Sequence, residues 1–197
     1  MFITMEWTIP AQKVDVSHVH IGSPTKTLKP MSPISYTEGD IRFPSLTVLF
    51  PHLTVKSYDA ENGRLSLSLN GTTSLLSKMQ ALQNMFVSSM INGQREWFPG
   101  ERGRGGDEIA GSFQPLISHS CIHLYCPLST TGSPNEIHVF SGGKWSCGII
   151  SPSMFAAGKQ IRIAVRFQGI SFHQHPVTKM WTGKSRIQHR ILAVYSE

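Results

Sequence analysis

Four arginines in two segments have the type and spacing to hold a run of phosphates. In Ile161-Arg162-Ile163-Ala164-Val165-Arg166-Phe167 the apolar Ile161, Ile163, Val165 and Phe167 alternate onto one strand face and leave Arg162 and Arg166 together on the other. Arg186 and Arg190 repeat the same four-residue step between Ser185 and Tyr195. If the two segments are neighbouring strands, the four guanidinium groups form one basic stripe, and each two-residue step advances it by roughly 6.6 Å, close to the phosphate spacing of an extended strand. Phosphate neutralisation releases counterions, so binding to such a stripe weakens strongly with salt. Lys179 and Lys184 add charge between the segments. Phe172 and Trp181, with His173 or His175, can stack on bases, because every base presents a π face. Trp97, Phe98 and Trp145 are further rings in turns, and Arg102 and Arg104 can close over a phosphate backbone from a glycine-rich segment.

The charge balance agrees with an anionic partner. Eighteen Lys and Arg stand against twelve Asp and Glu, a net charge of +6. From Lys159 onward, Lys159, Arg162, Arg166, Lys179, Lys184, Arg186 and Arg190 are opposed only by Glu197. Such an asymmetric surface favours single strands here, since nothing in the chain resembles a recognition helix or a zinc finger.

Other chemistries fit less well. His119, Cys121 and His123 alternate onto one strand face with Cys126 following, a candidate zinc set that lacks paired Cys-x-x-Cys spacing and a nearby general base. Gly183-Lys184-Ser185 ends like a phosphate loop, but Thr178 occupies the position of the leading glycine. Asp59, Glu61, Asp107 and Glu108 fall in turns rather than in facing pairs, and Cys147 has no sequence-local partner that would activate it. The expectation is a binding protein without cofactor or metal rather than an enzyme. Three cysteines are too few for a disulfide framework. Met1 to Pro10 lacks the form of a secretory signal, and no apolar run approaches a membrane span. An intracellular chain without membrane contact is expected.

The elements that must position the arginines are mostly strands. Residues 1–40 read as an irregular N-terminal arm with one strand candidate, residues 14–21, and a surface loop over residues 22–39 carrying Lys26 and Lys29, because Pro24, Pro30 and Pro33 interrupt it. Residues 41–197 read as one β-barrel domain. Strand candidates cover residues 41–50, 52–58 and 64–69, with a turn at Asp59-Ala60-Glu61-Asn62-Gly63. The period then changes: Leu75, Met79, Leu82, Phe86 and Met90 form one stripe of a helix over about residues 73–91, capped by Thr72, Thr73 or Ser74 and stopped by Asn92-Gly93. Glycine and charge make residues 99–111 a mobile loop. Residues 118–128, 136–140, 145–150, 161–167 and 185–195 complete a meander, with Gly169 permitting a bulge. The pattern predicts a mainly β chain, an oligonucleotide-binding Greek-key barrel with one inserted helix. A β-sandwich structural or assembly protein without nucleic-acid affinity is the alternative, and a metal-dependent hydrolase a third.

The order of the helix over residues 73–90, Trp97-Phe98, Gln114-Pro115-Leu116 and the run Gly158-Lys159-Gln160-Ile161-Arg162-Ile163-Ala164-Val165-Arg166-Phe167-Gln168-Gly169-Ile170-Ser171-Phe172 resembles the single-stranded DNA-binding proteins of large eukaryotic DNA viruses and related mobile elements. The resemblance spans roughly residues 65–195. It implies an oligonucleotide-binding fold and sequence-nonspecific covering of single-stranded DNA in replication or recombination, in the nucleus or a viral factory. Self-association and contact with replication proteins are implied as well, and RNA stays open as a ligand. Ser171 stands after Gly169-Ile170 where that family carries a tryptophan, so the stacking residue does not transfer, and an acidic C-terminal tail is absent.

Overall fold

The computed structural model describes residues 7–27, 29–99, 101–127, 137–141, 143–147 and 150–196. The chain runs β1 (Ile9–Pro10), β2 (Val19–Ile21), β3 (Met31–Glu38), β4 (Ile41–Phe43), β5 (Leu46–Leu49), β6 (Leu53–Asp59) and β7 (Arg64–Ser68) before helices α1 (Thr73–Trp97) and α2 (Gly106–Ser112). It continues through β8 (Phe113–Gln114), β9 (Ile117–Ser118), β10 (Cys121–Tyr125), β11 (His138–Ser141), β12 (Lys144–Cys147), β13 (Gln160–Gln174) and β14 (Trp181–Ser196). The result is mainly β, a large mixed sheet with two α-helices among the described residues. Expectations resting on Leu128, Glu136, Gly142 and the side chains of Trp145 and Cys147 lie outside the described residues.

The long antiparallel pair β13–β14 organises the sheet. Along its free edge β13 meets β3 at Gly169 to Ser171, β5 at Ala164 to Phe167, and β6 at Gln160 and Ile161. From β6 the sheet continues antiparallel through β7, β10 and β9. The other edge of β14 carries β8 and β11, both parallel to it. Ile161, Ile163, Val165 and Phe167 are buried on one face, as their alternation predicts. Gly169 sits at a register shift, and a Cβ there would collide with the Ser32 carbonyl of β3, so the close strand approach requires glycine.

Helix α1 buries Leu75, Met79, Leu82, Phe86 and Met90 against the sheet. Each such side chain removed from water contributes about 1.5–3 kcal/mol. Two details of the helix depart from expectation. Thr72 stands at the N-cap, but its hydroxyl donates to the Leu69 carbonyl at 2.7 Å instead of capping an N–H. Asn92-Gly93 does not end the helix, because the next turn places Trp97 directly over Gly93, where a side chain would clash with the indole, and packs it, half-buried, beside Phe172. Packing outweighs the roughly 1 kcal/mol propensity cost of an internal glycine.

Two segments expected to be irregular are ordered. Within the supposed N-terminal arm, β3 buries Ser32, Ile34, Ser35 and Tyr36. Pro33 is accommodated because its carbonyl accepts from the Gly22 N–H at 2.9 Å, so the missing N–H is the only loss. Within the supposed mobile loop, residues 106–112 form α2, with Asp107 and Glu108 in the first turn, where the helix dipole favours anions, and Ile109 buried.

Between β10 and β14 a side chain replaces the ladder. The Tyr125 N–H donates to His189 Nε2 at 2.7 Å, which leaves the ring proton on Nδ1, facing the Ile187 carbonyl at 3.4 Å. Burial pushes the His189 imidazole down to about 4, with the nearby Arg186 charge adding to the effect. Its ordinary value is 6.5, so between pH 6.5 and 4 the unfolded chain binds a proton that the folded chain refuses. Stability is therefore complete above pH 6.5 and falls as pH drops toward 4, by roughly 2 kcal/mol once the partial exposure of the ring is allowed for. Urea unfolding at pH 7 and pH 4 checks this: wild type is expected to lose more stability than His189→Gln, whose amide still offers an acceptor. An equal loss in both would contradict it.

Candidate nucleic-acid interface

The β13–β14 register brings the predicted arginines onto one outward face. Arg166 lies opposite Arg190, Arg162 opposite Tyr195, and Arg186 opposite Ser171. Arg162 and Arg166 are half-buried, whereas Arg186 and Arg190 are exposed. Burial, followed by the Arg190 charge, pulls the Arg166 guanidinium below its usual range. Like charges directly across a pair of strands disfavour one another, and an anion bound between them relieves that repulsion. The Arg162 guanidinium carbon lies 5.9 Å from the Tyr195 ring centroid, and its Nε is buried without a hydrogen-bond partner.

Toward the hairpin end the same face becomes the floor of an open groove of about 760 Å³. Ser171, His173, Lys184, Arg186 and Gln188 form the floor. One wall is Lys29-Pro30, leading into β3; the other is Ser112 to Gln114, where β8 runs beside β14. The turn with His175, Pro176 and Lys179 closes the far end. Among the described residues no carboxylate lines the groove. Four cations and two imidazoles thus converge without a counter-charge of their own, and the Ser185 hydroxyl, buried without a partner, belongs to the same lining. Such a lining has the chemistry to hold an extended anion, with amides and hydroxyls beside the charges.

The aromatic part of the expectation needs correction. Phe172 is 5 % exposed and Trp181 2 %. Trp181 stacks on Phe98, with centroids 4.9 Å apart, and Phe172 meets both Trp97 and Trp181 edge-on. The indole N–H of Trp181 donates to the Lys184 carbonyl at 2.9 Å, and its backbone N–H to Glu101 Oε1 at 2.8 Å. These rings brace the root of the hairpin; Phe172 belongs to the groove lining, but so little of either ring is exposed that neither presents an open face for stacking. Arg104 serves the same brace: it pairs with Glu108, donates to the Trp181 carbonyl at 2.8 Å, and lies 5.5 Å from the indole centroid. Gln94 holds its backbone in both directions, at 2.8 and 2.9 Å, so Arg104 cannot swing over a phosphate. Arg102 is exposed but outside the groove lining.

Tyr125 is an exposed ring, 57 % accessible on β10, opposite the exposed Arg64 of β7, and its N–H is bonded to His189, the neighbour of Arg190 in β14. Its alternation with Leu124 and Ile122 was the available signal. Lys29 and Gln114, both in the groove walls, carried no local signal, because only long-range pairing puts them there.

The zinc candidates do not assemble. His123 has both nitrogens engaged, Nδ1 by Ser66 at 3.0 Å and Nε2 by Ser118 at 2.8 Å. Cys126 points into the core, where burial pushes its thiol up to about 12. His119 lies in the β9–β10 turn with φ 48°, off the face shared by Cys121 and His123. Among the described residues no three His, Cys, Asp or Glu side chains are grouped to hold a metal ion. No helix among them is long and apolar enough to cross a membrane.

No protein-family model, curated protein or solved structure matches the chain.

Proposed function

We propose that this chain binds single-stranded nucleic acid, with DNA as the main ligand, and does so without sequence specificity. The observation that carries the reading is the acid-free cationic groove, whose floor runs on along β13 and β14 into Arg190, Arg166 and Arg162. From His173 to Arg162 the strand covers roughly 35 Å, enough for several nucleotides in file. Phosphates are held by Lys29, Lys184, Arg186, Arg190 and Arg166. Bases meet the imidazole of His173, the amides of the groove and the open ring of Tyr125, in place of Phe172 and Trp181.

The strand pairing supports an oligonucleotide-binding barrel for the same reason. β6, β7 and β10 follow one another antiparallel, β13 returns beside β6, and β14 beside β13. That alternation makes β14 run parallel to β10, and the Tyr125–His189 bond joins them. Five strands so connected have the Greek-key order of such barrels, with α1 inserted between the second and third. Covering single strands during replication or recombination is the role added by the sequence resemblance.

Fluorescence-anisotropy titrations with a deoxythymidine oligomer, its RNA counterpart and a blunt duplex test the proposal. Preference for the single strands by about tenfold or more is expected at low salt, with a logarithmic salt slope of about −3.5 if those five cations meet phosphates. Equal or absent binding of the single strands overturns it.

A further inference from the structure

The turn joining β13 to β14 presents apolar side chains to solvent. Val177 is 80 % exposed and Met180 46 %. The turn itself is held firmly. His175 Nδ1 accepts from the N–H groups of Val177 and Thr178, each at 3.3 Å. The His175 N–H donates to the Met180 carbonyl at 2.8 Å, and its carbonyl accepts from the Lys179 N–H at 3.0 Å. Lys179 takes a left-handed φ of 59° and ties its Nζ to the Pro176 carbonyl at 2.6 Å. Immediately behind Met180, Trp181 is clamped by Phe98 and Glu101. Two apolar groups therefore stand on a braced projection rather than on a slack loop.

Their neighbours identify what they meet. Pro176 and Lys179 of the turn belong to the lining of the cationic groove, so any polyanion lying in it passes the tip. Apolar side chains fixed beside a phosphate track are the means by which proteins wedge between base steps and unstack them. A second copy of the chain is a poor occupant by comparison, since Lys179 and Lys184 of each copy would face one another.

We propose that the hairpin tip is a strand-separating wedge: at a junction of single and double strand, Val177 and Met180 insert beside the terminal base pair and open it, while the groove holds the released strand. The inference rests on the nucleic-acid reading of the groove.

The experiment uses the full chain and a forked DNA duplex with 2-aminopurine in the first pair of the junction. Wild type is expected to raise the 2-aminopurine fluorescence by about threefold or more on binding. Val177→Ser/Met180→Ser is expected to bind a deoxythymidine oligomer within about twofold of wild type yet lose most of the junction signal. Val177→Leu/Met180→Leu, which keeps the apolar tip, is expected to retain that signal. Junction opening by the serine variant equal to that of wild type overturns the proposal, as does tight fork binding by wild type without a fluorescence change. Sedimentation velocity adds a further contrary outcome: a wild-type dimer abolished in the serine variant assigns the tip to contact between copies. If wild type binds no oligomer at all, the groove reading fails as well. Intact oligomer binding with an inert tip sinks the wedge alone.

Discussion

Replacing Lys184 and Arg186 together with alanine is expected to weaken binding of a deoxythymidine oligomer by about 100-fold at low salt, with no change in urea midpoint. Both side chains are exposed, both rise from the groove floor, and neither backbone position is altered by alanine in a strand. A hydrogen bond to a charged group is worth about 1.5–3 kcal/mol, so losing two removes about 3 kcal/mol or more. The salt dependence carries a second, independent signature: two fewer phosphate contacts make the logarithmic slope shallower by about 1.4. A merely structural defect would lower the stability and leave the slope of the folded fraction unchanged. Affinity and slope both equal to wild type would remove the groove from the account.

Trp181→Ala is expected to do the reverse. It deletes the ring stacked on Phe98 and edge-on to Phe172, removes the donor to the Lys184 carbonyl, and strips Arg104 of its cation–π partner. Truncating a buried aromatic residue of this kind costs about 3–5 kcal/mol, visible as a lower urea midpoint. If Trp181 only braces the hairpin, protein that remains folded at low temperature binds the oligomer within about threefold of wild type. A large loss of affinity with little loss of stability would return Trp181 to the role of a base-stacking residue.

The contrast between these two variants shows where the sequence was readable. Local periods were sufficient for the α1 stripe, for the β6–β7 hairpin with Gly63 at φ 61°, and for the split of β13 into an apolar face and an arginine face. Each depends on neighbours within a few residues. The outward placement of Arg162, Arg166, Arg186 and Arg190 follows from that split once β13 and β14 are paired. What could not be read depends on partners distant in the chain. Phe172 and Trp181 sit in exposed-looking surroundings, but Trp97 and Phe98 arrive from the end of α1 to cover them. Arg104 looks free in a glycine-rich run until Gln94 and Trp181 claim it.

The prolines around β3 misled for a related reason. Pro33 removes one N–H, a local mark against a strand, while what favours the strand is pairing that no local period shows, with β2 at Ile34 to Tyr36 and with β13 at Met31 to Pro33. The groove shares this origin. Its floor follows from alternation, whereas its walls, Lys29 before β3 and Gln114 in β8, need the long-range pairings of β3 with β13 and β8 with β14.

Lysine footprinting reads whether the oligomer lies in the groove. The chain is acetylated briefly with and without a saturating deoxythymidine oligomer, and the modification of each lysine is read by mass spectrometry. Lys29, Lys179 and Lys184 of the groove are expected to be protected by the oligomer, while the exposed Lys13 and Lys56 elsewhere on the surface keep their reactivity. Protection of Lys13 and Lys56 with the three groove lysines still reactive would contradict the account.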